Sequence, residues 1–389
     1  MGQRRGVFLA LLLVTAVGCT TVSPSEPTTA SSAASVTSSQ GVEPPSTLVR
    51  GEPLPTGCPD GPGLRSQDSI AFVADGKAWA LRPDGERPPR CLFSTPDPGP
   101  FAWGPLGDRV ALGGLEVRGV SSLAPSLPSV DVESSALGWG HPIGLAMVFA
   151  SRSDHMPSKR FVDDGRVEHL KDLPHGRYLQ IVYHPSGLAL AFVLERNGEQ
   201  SIWLSTNEGL DPTRLVFSHG GTTFPSIAFT PDGSHLMWIA HHVAGYAQVH
   251  SMDLATRDGF SDGWESEQGG TAGNLVLPPG GNLMALDEGT GCADRAAMVV
   301  LSPAVARPAI PAETRPTTAL GWLDRDTLLV AAGGCGEPVD LYTVSPLDQA
   351  APALVVTGAT TAASRAPAPP APSEVPHPQD EEPPPGGVG

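Results

Sequence analysis

One short phrase, written six times, limits what this chain can fold into. FAWGPLGDRVALGG, ALGWGHPIGLAMVFA, IVYHPSGLALAFV, IAFTPDGSHLMWIA, LVLPPGGNLMALD and LGWLDRDTLLVAA each set a tight turn between two short apolar runs. Aligned on Trp103, Trp139, Tyr183, Phe229, Leu277 and Trp322, the copies stand 36, 44, 46, 48 and 45 residues apart, and a fixed period of this size marks a repeat architecture.

Each copy reads as two strands and a turn. Proline two residues after the anchor (Pro105, Pro185, Pro231, Pro279) presets the turn entrance, and glycine four after it (Gly107, Gly187, Gly233, Gly281) supplies a positive φ. The second copy carries the pair one residue late, as Pro142 and Gly144, and the sixth substitutes Asp324 and Asp326. A third run such as AQVHSMDL follows, and in several copies a fourth such as TRLVFS. Four short antiparallel strands per unit make an all-β chain, a β-propeller of four-stranded blades. A lone blade has two apolar faces, so blades must stack around an axis, with the anchor residues packed between them.

The stretch SIAFVADGKAWALRPDGERPPRCLFS supplies second, third and fourth strands but no first. Seven blades are preferred if residues 48–50 or a C-terminal segment near Val355 supply that inner strand and zip the ring shut. Six is the alternative, if the 36-residue first unit fails to make its own sheet.

The phrase xxxPDGxxLxx, with a third strand ending in Asp-Leu or Ser-Pro, resembles the TolB-like and WD-like propellers of bacterial envelope proteins over residues 68–357. The Trp-Asp dipeptide of WD repeats is absent, and nothing matches the separate N-terminal domain of TolB. The resemblance implies the fold; propellers host unrelated activities.

Both ends read as lying outside the fold. Residues 1–18, with Arg4, Arg5 and an apolar run from Val7 to Val17, read as an export signal too short to span a bilayer. Ala16-Val17-Gly18-Cys19 resembles the lipobox of bacterial lipoproteins, which makes Cys19 the expected acylated N-terminus; cleavage and secretion is the alternative. Residues 19–46 are a Ser/Thr/Pro tether, 47–363 the propeller, and 364–389 a proline-rich acidic tail. A net charge of −17 with 24 basic residues provides no patch for nucleic acid. The expected membrane link is therefore the lipid alone, on an extracytoplasmic monomer.

Beyond Cys19 four cysteines remain, Cys58, Cys91, Cys292 and Cys335, and an exported chain of even count suggests disulfides. Cys292 and Cys335 sit in equivalent loops 43 residues apart, one period, so they are expected to pair; Cys58 and Cys91 follow, pinning the closure. Zinc is the competing reading, but no CxxC spacing occurs.

No G-x-S-x-G, HExxH, G-x-x-x-x-G-K or EF-hand loop is present. Polar residues gather instead on the loops between second and third strands, which share one face of a propeller. Arg152 and His155, Arg196, the pair His241 and His242 with Tyr246, Asp287 and Glu288, Asp294 and Arg295, and Glu337 make a candidate binding rim. An acidic insertion at 257–273 adds Trp264, read either as a partner contact or as packing in an outer strand. The expected function is a lipid-anchored scaffold binding an envelope protein or peptide segment, without cofactor or metal. The alternatives are a propeller enzyme, a hydrolase or lyase, and a small-ligand sensor using the same face.

Overall fold

The computed structural model describes residues 68–365, with Leu54 and Cys58 ahead of them, apart from 85–86, 96–101, 105–108, 112–116, 120–132, 140–145, 151–155, 219, 258–260, 281–282, 303–304, 312 and 349. Contacts divide the chain after Ser46, and all described residues belong to the unit beginning at Thr47. Every described element is a β-strand.

Sheet I is built from Ile70–Ala74, Lys77–Leu81 and Arg90–Ser94, with Thr361–Ser364 along the edge of the first of these. Sheet II has three strands within 102–119. Sheets III to VII span 133–169, 177–217, 223–265, 272–308 and 317–359, each a four-stranded antiparallel meander in chain order. Among the described residues the complete four-stranded blades number six, the count the sequence left as its alternative. The 36-residue first repeat still makes a sheet of its own, but one of three strands among the described residues.

The anchors fall where the repeat places them. Trp103, Trp139, Tyr183, Phe229 and Trp322 each end the first strand of a sheet, and Leu277 directly follows one. Apolar faces stack from sheet to sheet. Tyr178 and Phe192 fill the seam between III and IV, Phe224 and Trp238 that between IV and V, and Trp264 and Leu286 that between V and VI. Trp322 with Val299 joins VI to VII, and Phe72 with Leu329 and Leu341 joins VII to I. Trp103 and Val110 of sheet II pack on Ala71 and Val73 of sheet I, and Ala111 meets Met147 of sheet III, which completes a propeller ring.

The ring is closed by hydrogen bonds between the two ends of the described chain. Ile70 faces Ser364 and Val73 faces Thr361 in an antiparallel pair. Closure thus uses a strand just beyond the segment near Val355, because Ala353–Ala359 is already the fourth strand of sheet VII. Residues 48–50, the other expected source, lie outside the described residues. Both expected disulfides are present: Cys58 with Cys91 at a Cα separation of 5.1 Å, and Cys292 with Cys335 at 5.8 Å.

First strands have no partner strand on their axial edge, so their free backbone groups need side chains. The Gln180 carboxamide accepts from the N–H of Ile227 at 2.8 Å and donates to its carbonyl at 3.3 Å. Ser226 Oγ accepts from Leu275 N at 2.9 Å, and Asn274 Nδ2 donates to the Ala319 carbonyl. These three polar residues each stand three places before an anchor. They make a side-chain rung from one sheet to the next.

The opening phrase of sheet V shows why its turn is written as it is. Gly233 has φ +74°, and its N–H donates to the Thr230 carbonyl at 2.8 Å. Its own carbonyl lies 2.9 Å from His184 Nε2 in the turn of sheet IV, and a Cβ at this glycine would strike that imidazole. Gly233→Ala is expected to cost about 1–3 kcal/mol in urea unfolding. Gly198→Ala, at φ +78° with open space around the added methyl, carries the backbone penalty alone and should cost less. Equal losses at the two sites would show that the His184 contact contributes nothing.

Candidate binding face

The meander puts the turns between second and third strands, and the crossings from each fourth strand to the next first strand, at one end of the ring. Hydroxyls at the crossings brace this end. Ser218 Oγ accepts from Gln200 N at 2.9 Å, Ser266 Oγ from Ala247 N at 2.8 Å, and Thr317 Oγ1 from Ala297 N at 2.7 Å. The same device in three consecutive units gives the face a rigid floor.

Several polar residues picked from the sequence are part of that floor. His241 and His242 end the second strand His235–His242 of sheet V and, as successive strand residues, point opposite ways. His241 Nε2 lies 2.9 Å from the amide nitrogen and 2.6 Å from the carbonyl oxygen of Ala272 in sheet VI, and burial lowers its pKa. His242 stacks on Tyr246 at 4.5 Å between ring centres and meets His250 edge-on at 6.0 Å. Asp294 accepts from Thr290 Oγ1, from Thr290 N at 2.9 Å and from Gly291 N at 2.7 Å, which holds its carboxyl down at about 2. It shapes its own turn. Trp264 is 6% exposed in the seam between sheets V and VI, the packing arrangement rather than the contact. Arg152 and His155 lie outside the described residues. Arg196 remains an exposed arm beside the Asn197-Gly198 turn of sheet IV, and in the equivalent turn of sheet V Val243 is 71% exposed.

Arg295 and Glu337 share one place. A cavity of about 500 Å³ opens between the turns of sheets VI and VII, lined by both side chains, by Cys292 and Cys335, and by Thr318 and Thr360 where two first strands begin. The disulfide ties its two walls together. Beside it lies a network that the sequence did not disclose: Arg315 binds Asp340 Oδ2 at 2.7 Å, Glu313 Oε2 at 2.7 Å and Tyr342 Oη at 3.1 Å. No motif marks these residues. Only the alternation of strand Val339–Val344 would have put Asp340 and Tyr342 on one side.

A serine, a histidine and an aspartate do meet at the opposite end of the ring. Ser234 Oγ lies 2.7 Å from His235 Nδ1, and His235 Nε2 lies 4.0 Å from Asp253 Oδ2. The Ser234 hydroxyl is engaged with both oxygens of Asp232, at 2.9 Å each, in an exposed turn. That is turn chemistry. Among the described residues no group of three or more His, Cys, Asp or Glu converges as metal ligands.

Fold and face together define an all-β propeller of four-stranded blades with one polar loop end. No protein-family model and no curated protein sequence matches the chain. Solved structures that resemble it include oligogalacturonate lyase in complex with manganese, at TM-score 0.53 and 14% identity over 69% of this chain and 82% of that one. Prolyl oligopeptidase B from Galerina marginata, bound to a 35mer substrate, gives TM-score 0.55 and 12% identity over 75% of this chain and 50% of that one. TolB from Acinetobacter baumannii gives 0.45 and 14%, over 77% and 67%. The chain thus spans about half the length of the prolyl oligopeptidase. At these identities the likeness is one of fold.

Asp287 is the buried acid under this face. Its Oδ1 accepts from Ala319 N at 2.8 Å, completing the rung that Asn274 begins. Burial raises its pKa from 3.8 to about 7, against the pull of Ala319, Asn274 and Arg295. Between those values the folded protein keeps a proton that the unfolded chain has lost, so this group makes stability fall as pH rises from about 4 to about 7. Asp287→Asn keeps an acceptor for Ala319 and should flatten that decline, which is worth at most about 4 kcal/mol. Urea midpoints across pH 4–8 that fall equally in both proteins would refute the assignment.

Proposed function

We propose that the chain is a lipid-anchored extracytoplasmic β-propeller that binds another envelope protein through the loop face bearing Arg196 and Val243. The observation that carries this reading is where the chain enters and leaves the ring. Arg365 N donates to the Ser69 carbonyl at 2.7 Å, and Ile70 pairs with Ser364, so both ends of the propeller meet at one end of the axis. The second-to-third strand turns lie at the other. We assign the partner to the loop face at that other end, away from the entering and leaving strands. Disulfides at Cys58–Cys91 and Cys292–Cys335 suit an oxidising compartment. The same end of the ring exposes both an apolar side chain, Val243, and a cation, Arg196, from equivalent turns of neighbouring sheets.

Two measurements test the two halves of this proposal. Metabolic labelling with radioactive palmitate is expected to mark the protein, with Cys19→Ala abolishing both the label and detergent-phase partition; label that survives the substitution would remove the anchor. Affinity capture from envelope extract with the full chain is expected to retain one protein that an Arg196→Glu, Val243→Glu variant loses by about 10-fold or more. Equal capture by the folded variant would move the contact off this face.

A further inference from the structure

The cavity between the turns of sheets VI and VII carries two opposite charges that do not meet. Arg295 comes from one wall and Glu337 from the other. Among the described residues neither the guanidinium nor the carboxylate makes an ion pair or a side-chain hydrogen bond. The contrast with Arg315 nearby is direct, since that guanidinium is occupied by Glu313, Asp340 and Tyr342. Two unpaired opposite charges facing one space disfavour a simple anion, which Glu337 repels, and a simple cation, which Arg295 repels. They favour a molecule carrying both charges a fixed distance apart.

Size and shape agree with such a ligand. About 500 Å³ lies within the usual range for small-molecule sites. The remaining wall is uncharged: two threonines, two prolines, Ala331, Val339 and glycines that leave backbone open to the space. The Cys292–Cys335 bond ties the two charged turns together, which lowers the backbone ordering entropy to be lost on binding.

We propose that this cavity is a binding site for a small zwitterion of the amino-acid or short-peptide class, its carboxylate held by Arg295 and its ammonium by Glu337. Carboxylate to guanidinium is the fork-shaped, charge-assisted pairing that gives arginine its preference for such ends. The site goes beyond partner binding by the loop face and does not depend on it.

The test is titration calorimetry of the full chain in detergent micelles with trialanine, N-acetyl-trialanine and trialanine amide. Free trialanine is expected to bind saturably, and capping either end to weaken it about 10- to 100-fold, the range for a hydrogen bond to a charged group. Arg295→Gln should bind free and amidated peptide equally, and Glu337→Gln should bind free and acetylated peptide equally. Both substitutions are at exposed positions, and unchanged thermal melting would confirm the fold. Absence of saturable trialanine binding, or binding indifferent to both substitutions, overturns the site. A chain that captures its envelope partner but ignores trialanine would lose the zwitterion site and keep the proposed function.

Discussion

Everything in this molecule depends on a four-residue strand that pairs the end of the propeller with its beginning. Without Thr361–Ser364 the strand Ile70–Ala74 would expose its inner edge, and sheet VII would have no neighbour on one side. Bringing residues 287 apart into contact, as Thr360 and Val73 are, costs about 5 kcal/mol of loop-closure entropy beyond a constant. Four residue pairs of backbone bonding at about 1 kcal/mol each would barely offset that. The apolar seam supplies the surplus: Ile70 and Phe72 are wholly buried against Leu329 and Leu341, and Trp79 beside them is 1% exposed. Cys58–Cys91 adds a covalent tie to the same sheet, which should contribute about 3 to 4 kcal/mol.

The second constraint is the row of unpaired backbone groups that a propeller turns toward its axis. Gln180, Ser226 and Asn274 answer it by reaching one sheet forward, each from the position three before an anchor. In sheet VII that position is Ala319, the receiver of the last rung, so the series stops there and Asp287 supplies the missing acceptor from a second strand. This explains a carboxyl buried deeply enough to titrate near neutrality. Its neighbours are hydrogen-bond donors rather than a full countercharge, with Arg295 acting only as the weakest opposing influence.

Periodicity made the architecture legible because it is a property of backbone spacing. The anchors, the turns of sheets IV and V, the missing first strand of sheet I and both disulfides follow from counting residues, since equivalent loops of neighbouring blades are neighbours in space. The length of the short first repeat was readable too, though not how many strands it would form. The candidate face was legible only as a face. Whether a polar side chain there serves solvent or backbone depends on a rotamer and on what the next sheet leaves unpaired, and neither is written in the residue itself. His241, Asp287 and Asp294 look like site residues in sequence and act as braces. The rung residues, conversely, were readable as a polar place three before the anchor in consecutive repeats, a signal weak enough to pass as strand alternation.

The bracing also bears on why two glycine-rich turns can frame a defined cavity. Gly289 and Gly291 precede one cysteine, and Gly333, Gly334 and Gly336 surround the other, a composition that would leave both turns with many conformations. Glycine is nonetheless required where the backbone passes close to its neighbours: a methyl on Gly289 would lie 2.7 Å from the Asp294 carbonyl oxygen, and one on Gly333 would lie 2.9 Å from the Val339 Cα. The disulfide resolves the conflict by fixing from the side what the glycines leave free along the chain. Arg295, whose amide donates to the Cys292 carbonyl at 3.4 Å and whose carbonyl accepts from Thr317 N at 2.9 Å, is thereby positioned through its backbone while its guanidinium stays uncommitted. A guanidinium on a fixed backbone can meet a ligand without first breaking a side-chain ion pair, and that separates it from Arg315.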